Sequence, residues 1–151
     1  MKVANKGYKP PKWFTRIKPG AHGSTPSQKR LWRIVSETYR KEDWEKYGAM
    51  CPLCKDPIYT WQDGQLGHFH PWGACHSWFK FERKNLALIC AGCNMNDSGF
   101  TAVRFADVLK RRYGDDILTW IERTNQTFAG IKMQEWELVD YAARVAPHLV
   151  E

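Results

Sequence analysis

Apolar positions along the chain fall into blocks with different periods. Leu31, Ile34, Val35 and Tyr39 recur at helical spacing, behind Thr25-Pro26-Ser27-Gln28, where Thr25 can cap, Pro26 suits the first helical position and Gln28 can complete a capping box. Gly48 should end this helix. Ile58-Tyr59-Thr60-Trp61 is β-prone, Asp63-Gly64 is a two-residue turn signal, and Leu66 to His70 returns, so a hairpin is expected between Ile58 and His70. Residues 71–84 read as a loop rich in aromatic and basic side chains, followed by the short apolar run Leu86-Ala87-Leu88-Ile89. Beyond residue 100 the period turns helical three times: Val103 to Leu109 with a stop at Gly114, Ile117 to Ile121, and Trp136 to Ala142 ending before Pro147. Residues 1–24, rich in Lys, Gly and Pro, show neither period and read as an extended basic arm. The expected organisation is this arm and one domain over 25–151: a covering helix at 25–48, a core at 49–100 and C-terminal helices at 101–151.

Charge sharpens that picture. Nine of the 23 Lys and Arg precede Glu37 with no acid among them, so the remaining 14 face all 16 acidic residues. The excess behind the net charge of +7 is therefore N-terminal. Lys9, Lys12, Arg16 and Lys18 could neutralise phosphates of a nucleic acid, the alternative being a solvated tail. The first residues carry no apolar stretch of the kind a secretory signal needs. No uncharged apolar run approaches the ~20 residues of a membrane-spanning helix. A cytoplasmic protein is expected, with its thiols reduced.

Five cysteines then matter for their spacing. Cys51-Pro52-Leu53-Cys54 and Cys90-Ala91-Gly92-Cys93 each let one tight turn present two thiolates to one ion, and together they suit a tetrahedral Zn²⁺ site. Four thiolates leave no open coordination position, so this zinc is expected to be structural. Cys75 is left over and reads as a small buried hydrophobe. Between the knuckles lie 35 residues, Lys55 to Ile89, and closing the knuckles on zinc draws Asn94, just after Cys93, toward the segment Gly67-His68-Phe69-His70. Period-2 geometry puts His68 and His70 on one face of a strand.

The array of Cys51-Pro-Leu-Cys54, Gly67-His68-Phe69, Phe81-Glu-Arg-Lys-Asn85 and Cys90-Ala-Gly-Cys93-Asn94 resembles the HNH, or ββα-metal (His-Me finger), nucleases. It is closest to the phage NinG/Rap recombination endonucleases, and Ser98-Gly99 and Phe105…Leu109…Arg112-Tyr-Gly114 extend the likeness over roughly residues 49–125. The resemblance implies an α+β fold with a zinc-stapled ββα-metal core and additional helices before and after it. It implies His68 as the general base, Asn94 as a ligand of a catalytic Mg²⁺ or Mn²⁺, and Asn85 as the residue that orients His68 by a hydrogen bond. Many HNH enzymes carry Asp directly before the base, where this chain has Gly67. That leaves a second metal ligand to be found, with His70 and Asp97 the candidates; a loop or cap role is the alternative for Asp97. Lys80, Arg83 and Lys84 flank the site and could hold DNA, the alternative being a solvated loop.

The implied activity is metal-dependent DNA endonuclease cleavage of branched or recombination-intermediate substrates such as Holliday junctions or D-loops. The implied setting is a phage-infected or prophage-bearing bacterial cell. Paired cuts at a junction make a homodimer the expected assembly. Two other readings compete: a nuclease of the same fold acting on plain duplex DNA, and a non-catalytic zinc module that binds nucleic acid.

Overall fold

A computed structural model describes residues 7–95 and 99–150. The protein is α+β, with one two-stranded antiparallel sheet among six α-helices in the described residues. The helices are α1 (Lys12–Thr15), α2 (Pro26–Tyr47), α3 (Ala91–Met95), α4 (Gly99–Tyr113), α5 (Ile117–Thr127) and α6 (Glu135–Val145). The strands are β1 (Gly64–His68) and β2 (Leu86–Cys90), in a register that pairs Gly64 with Cys90 and His68 with Leu86. Two compact units emerge: residues 1–38 with 132–151, and residues 39–131. Among the described residues no helix is long and apolar enough to cross a membrane.

The first unit gathers the N-terminal segment, the start of α2 and α6. Residues 12–15, expected to be extended, form a helical turn, and Phe14 in it is fully buried. Arg30 Nε donates to the Ile17 carbonyl at 3.1 Å, and Gly20 N donates to the Lys29 carbonyl at 2.8 Å. Backbone groups without a periodic ladder must still find partners, and here the first turns of α2 provide them. Lys9, Lys12, Arg16 and Lys18 remain exposed on this segment. Thr25 Oγ1 accepts from Gln28 N at 3.2 Å, as a cap should. Gln28 Oε1 reaches one residue further than expected, to the backbone N and hydroxyl of Ser24 at 3.0 and 2.9 Å.

In the second unit the sheet carries the core. β2 buries Leu86, Ala87, Leu88 and Ile89, and around it lie Leu53, Ile58, Phe79, Phe105, Val108, Leu109, Ile117 and Ile121. The expected hairpin is corrected: β1 pairs with β2, not with Ile58–Trp61. Asp63 explains why. Its carboxylate accepts from Thr60 N at 2.9 Å and Thr60 Oγ1 at 3.0 Å, closing a 3₁₀ turn over Trp61–Asp63 in place of a two-residue β-turn. Ile58 N is meanwhile taken by the Ala49 carbonyl at 2.8 Å. The continuous apolar run Leu86–Ile89 is the better mate, because both its faces are covered.

The far edge of β2 is closed by a side chain. Asp43 on α2, 1% exposed, accepts from Leu88 N at 2.8 Å. Arg83 and Arg112 both ion-pair with its carboxylate, the latter at 3.3 Å. A buried carboxylate with two guanidiniums and a backbone N–H is fully satisfied, and an edge that would otherwise be bare is capped.

Candidate functional site

The two ends of the sheet are closed by different chemistry. At the Gly64–Cys90 end the four sulfurs of Cys51, Cys54, Cys90 and Cys93 lie within 4.8 Å of one another, with Cys54 Sγ and Cys90 Sγ 3.6 Å apart. Tetrahedral zinc with Zn–S bonds of about 2.3 Å places its sulfurs about 3.8 Å apart, so this cluster fits a metal such as zinc. The first knuckle is a tight turn in which Lys55 N donates to the Cys51 carbonyl at 2.9 Å and Lys55 takes a φ of 68°. The second is capped by Cys93 N, 3.4 Å from Cys90 Sγ.

The sulfurs hold unlike proton affinities. At Cys51 burial alone would raise the thiol, but backbone N–H groups of Cys54, Cys90 and Leu53 outweigh it and bring it below its usual value. Burial, together with hydrogen bonds among the neighbouring sulfurs, pushes Cys93 well up. Sulfurs packed this closely cannot all ionise without a cation to offset the repulsion.

At the His68–Leu86 end the chain leaves β1 into a 17-residue loop, 69–85, and returns to β2. Two buried asparagines hold that loop. Asn85, 0% exposed, accepts from His70 N at 2.8 Å through Oδ1 and donates through Nδ2 to the His70 carbonyl at 3.0 Å. Its own carbonyl accepts from Phe69 N at 2.9 Å. Asn125 on α5, 2% exposed, does the same further out, accepting from His76 N at 2.7 Å and donating to the Ala74 carbonyl at 3.0 Å. Each amide accepts through Oδ1 and donates through Nδ2 to backbone groups, as a backbone bridge would, and Asn85 Nδ2 also lies 3.6 Å from Cys75 Sγ.

His68, half-buried at the end of β1, has Nε2 3.1 Å from the Lys80 carbonyl and its ring edge-on to Trp72 at 5.6 Å. A carbonyl only accepts, so this contact takes a proton on Nε2, and the neutral tautomer that makes it has its lone pair on Nδ1. The expected hydrogen bond from Asn85 to the His68 ring is corrected: Asn85 binds the backbone of His70, two residues on. Asn85 therefore fixes the strand end and loop rather than the imidazole itself. His70 lies past the end of β1 and contributes its backbone to this clip.

Asn94 is exposed on α3, where its Nδ2 donates to Gln65 Oε1 at 2.6 Å. Asn94 Oδ1 also lies against β1, where a Cβ built on Gly67 would be 3.1 Å from it and 2.5 Å from Ile89 Cδ1. Gly67 is thus the gap through which the Asn94 amide reaches the strand. Strand alternation puts Gln65 and Gly67 on the face toward α3 and His68 on the other, toward Lys80. The structure brings Asn94 Oδ1 and the His68 ring to the same dipeptide, from its two sides. Asp97 falls outside the described residues.

The basic residues beside the site divide. Arg83 is bound to Asp43, lies 3.4 Å from Glu42 Oε2 and stacks over the Tyr39 ring at 4.8 Å. Burial would lower its pKa, but the Asp43 charge and hydrogen bond raise it. Lys80 Nζ donates to the Trp72 carbonyl at 2.8 Å and lies 4.9 Å above the Trp72 ring, with its pKa lowered by burial. Both cations are thus engaged in holding the loop, and the Arg83 charge is taken up by Asp43. Lys84 is exposed, 4.8 Å above the Trp120 ring. Cys75 is buried as expected, yet its thiol donates to the His70 carbonyl at 3.2 Å, and burial pushes its pKa up to about 11.

Asp43, Gln65 and Asn125 were missed by sequence reasoning. No local pattern marks them, since each acts on a partner far along the chain. Comparison with protein-family models, curated proteins and solved structures found no match for this chain.

Proposed function

We propose that this protein is a metal-dependent DNA endonuclease of the ββα-metal (HNH) type. The observation that carries the reading is the Gly67-His68 dipeptide at the end of β1, with an imidazole leaving one side and the Asn94 amide oxygen seated against the other. The chain order β1, β2, α3, tied at one end by four cysteines, supports the same reading.

His68 is the general base. Its Nε2–H is held by the Lys80 carbonyl, and Nδ1 takes the proton from the water that attacks a phosphodiester. Trp72 against the ring limits its rotation. Asn94 Oδ1, fixed by Gln65, is the oxygen that would hold Mg²⁺ or Mn²⁺. Such an ion, when bound, supplies charge stabilisation at the phosphate. Mg²⁺ commonly keeps several waters and takes one or two carboxylates with substrate phosphates, so the Asn94 oxygen would be one ligand of a site that needs a further protein ligand and the substrate phosphate to complete it. Asn85 is a positioning residue, acting through the backbone of His70.

Branched or recombination-intermediate DNA is the proposed substrate, on the resemblance of these motifs to the NinG/Rap endonucleases, with a homodimer making paired cuts. The test is cleavage of supercoiled plasmid, linear duplex and a four-way junction by zinc-loaded protein with Mg²⁺ or Mn²⁺. Preferential, metal-dependent cutting of the junction is expected. Equal cutting of all three would reassign the substrate to plain duplex. Tight binding without cutting under either metal would make the chain a non-catalytic zinc module.

A further inference from the structure

The knuckle that closes the metal site has an outer surface, and that surface is concave and basic. Two adjoining hollows of about 430 and 300 Å³ lie between Pro52–Lys55 and α4, sharing Pro52, Lys55 and Arg111 as walls. Arg104, Arg111, Lys46 and Lys55 line them, against Asp107 as the one acid. Arg112 also lines the larger hollow, but its charge is offset by Asp43 at 3.3 Å. The lining side chains are then four cations to one anion; the zinc-loaded Cys₄ site behind Cys54 would add a charge of −2, which leaves the groove net positive, and its low-dielectric walls strengthen the field.

Geometry makes these cations a row. Arg104 and Arg111 are seven residues apart on α4, two helical turns or roughly 10 Å along its axis, with Asp107 and Val108 between them on the same face. Arg104 is anchored by a bond from Nη1 to the Leu53 carbonyl at 3.2 Å, which also ties the helix to the knuckle. Lys55 is exposed and presented by a left-handed backbone turn, with Nζ 3.2 Å from the Pro52 carbonyl. Arg111 is exposed and forms no ion pair among the described residues. Cations in the last turn of a helix also favour its dipole, which accounts for a basic residue there. It does not account for Lys46 and Lys55 facing them from other segments.

We propose that this groove binds the phosphate backbone of duplex DNA, so that the metal-closed knuckle is a wall of the DNA interface as well as a fold element. The proposal rests on the endonuclease reading only for the identity of the polyanion, and its site is built from none of the residues assigned to cleavage. A row of cations about 10 Å long along a groove suits consecutive phosphates of one strand better than a single small anion.

The test measures binding, not cutting. Zinc-loaded His68→Ala protein, and the same protein carrying Lys55→Asn with Arg111→Ala, are titrated with labelled duplex DNA without Mg²⁺ across a range of salt. Asn tolerates the positive φ at residue 55, so the turn is kept. Each phosphate contact contributes about 0.9 to the slope of log affinity against log salt, so the groove variant should lose about 1.8. Zinc content and circular dichroism should match the parent; should this double variant fail to load zinc, Arg111→Ala alone replaces it, with an expected loss of about 0.9. Arg123→Ala, an exposed cation on α5, should leave the slope unchanged. An unaltered slope in the folded groove variant would overturn the proposal. So would an equal loss in Arg123→Ala, or a loss seen with RNA and not with duplex DNA. Failure of cleavage in the wild type would leave this binding result standing, and an unaltered slope would leave cleavage standing.

Discussion

The two ends of one short sheet are closed by unlike means. Where Gly64 meets Cys90, four sulfurs converge on a point and cannot all ionise without a cation such as zinc. Where His68 meets Leu86, two asparagines imitate backbone bridges across a long loop and need no ion. The ends are about 13 Å apart, four strand residues at 3.3 Å each. A soft-ligand cluster with every position filled can only hold; an amide clip can hold a loop while leaving a neighbouring imidazole half-exposed. The chain thus separates the group that folds it from the group proposed to react.

Breaking the sulfur end should cost most. Structural zinc in small modules binds with on the order of 10 kcal/mol at neutral pH, comparable to the whole stability of a domain. Stripping one equivalent of zinc with a strong chelator, or Cys90→Ser, should therefore unfold the 39–131 unit, read by near-UV circular dichroism. An unchanged spectrum after zinc release would break the comparison.

Breaking the amide end should cost less and unevenly. Asn85→Ala strands His70 N–H and C=O in a half-buried setting and should destabilise by about 2–4 kcal/mol, seen as a lower urea midpoint with zinc retained. Asn125→Ala exposes partners on Ala74 and His76, both already at the surface, where water can replace the amide; about 1 kcal/mol is expected. Equal costs would show that burial does not set the difference.

A substitution beside Asn94 is the most informative about metal. Gly67→Asp would bring a Cβ against Ile89 Cδ1, the movable tip of a side chain, so the cost should be about 1–3 kcal/mol. It would also add a carboxylate beside Asn94 Oδ1. The Mg²⁺ concentration for half-maximal cleavage should fall, and a metal titration no different from wild type would place the ion elsewhere.

Much of this architecture is legible in the sequence. Thr25, Gly48, Gly114 and Pro147 bound helices where their local chemistry says they should, and the CxxC spacings mark the metal cluster. The strand pairing was not legible, because Asp63-Gly64 carries a turn signal that Thr60 diverts into a cap. The destinations of Arg83 and Lys80 were hidden for a different reason. A basic residue in a loop reads the same whether it faces solvent or a carboxylate 40 positions away, as Arg83 does with Asp43. Asn85 was picked out by its motif, but its partner depends on a loop closure that only the folded chain displays.

Cleavage of a four-way junction by zinc-loaded wild type and His68→Ala, with junction affinity measured on the same preparations, tests the central claim directly. Loss of a general base should slow cutting by about 10²–10⁴-fold while affinity and zinc content hold. Undiminished cutting by His68→Ala would contradict the assignment of that imidazole as the base.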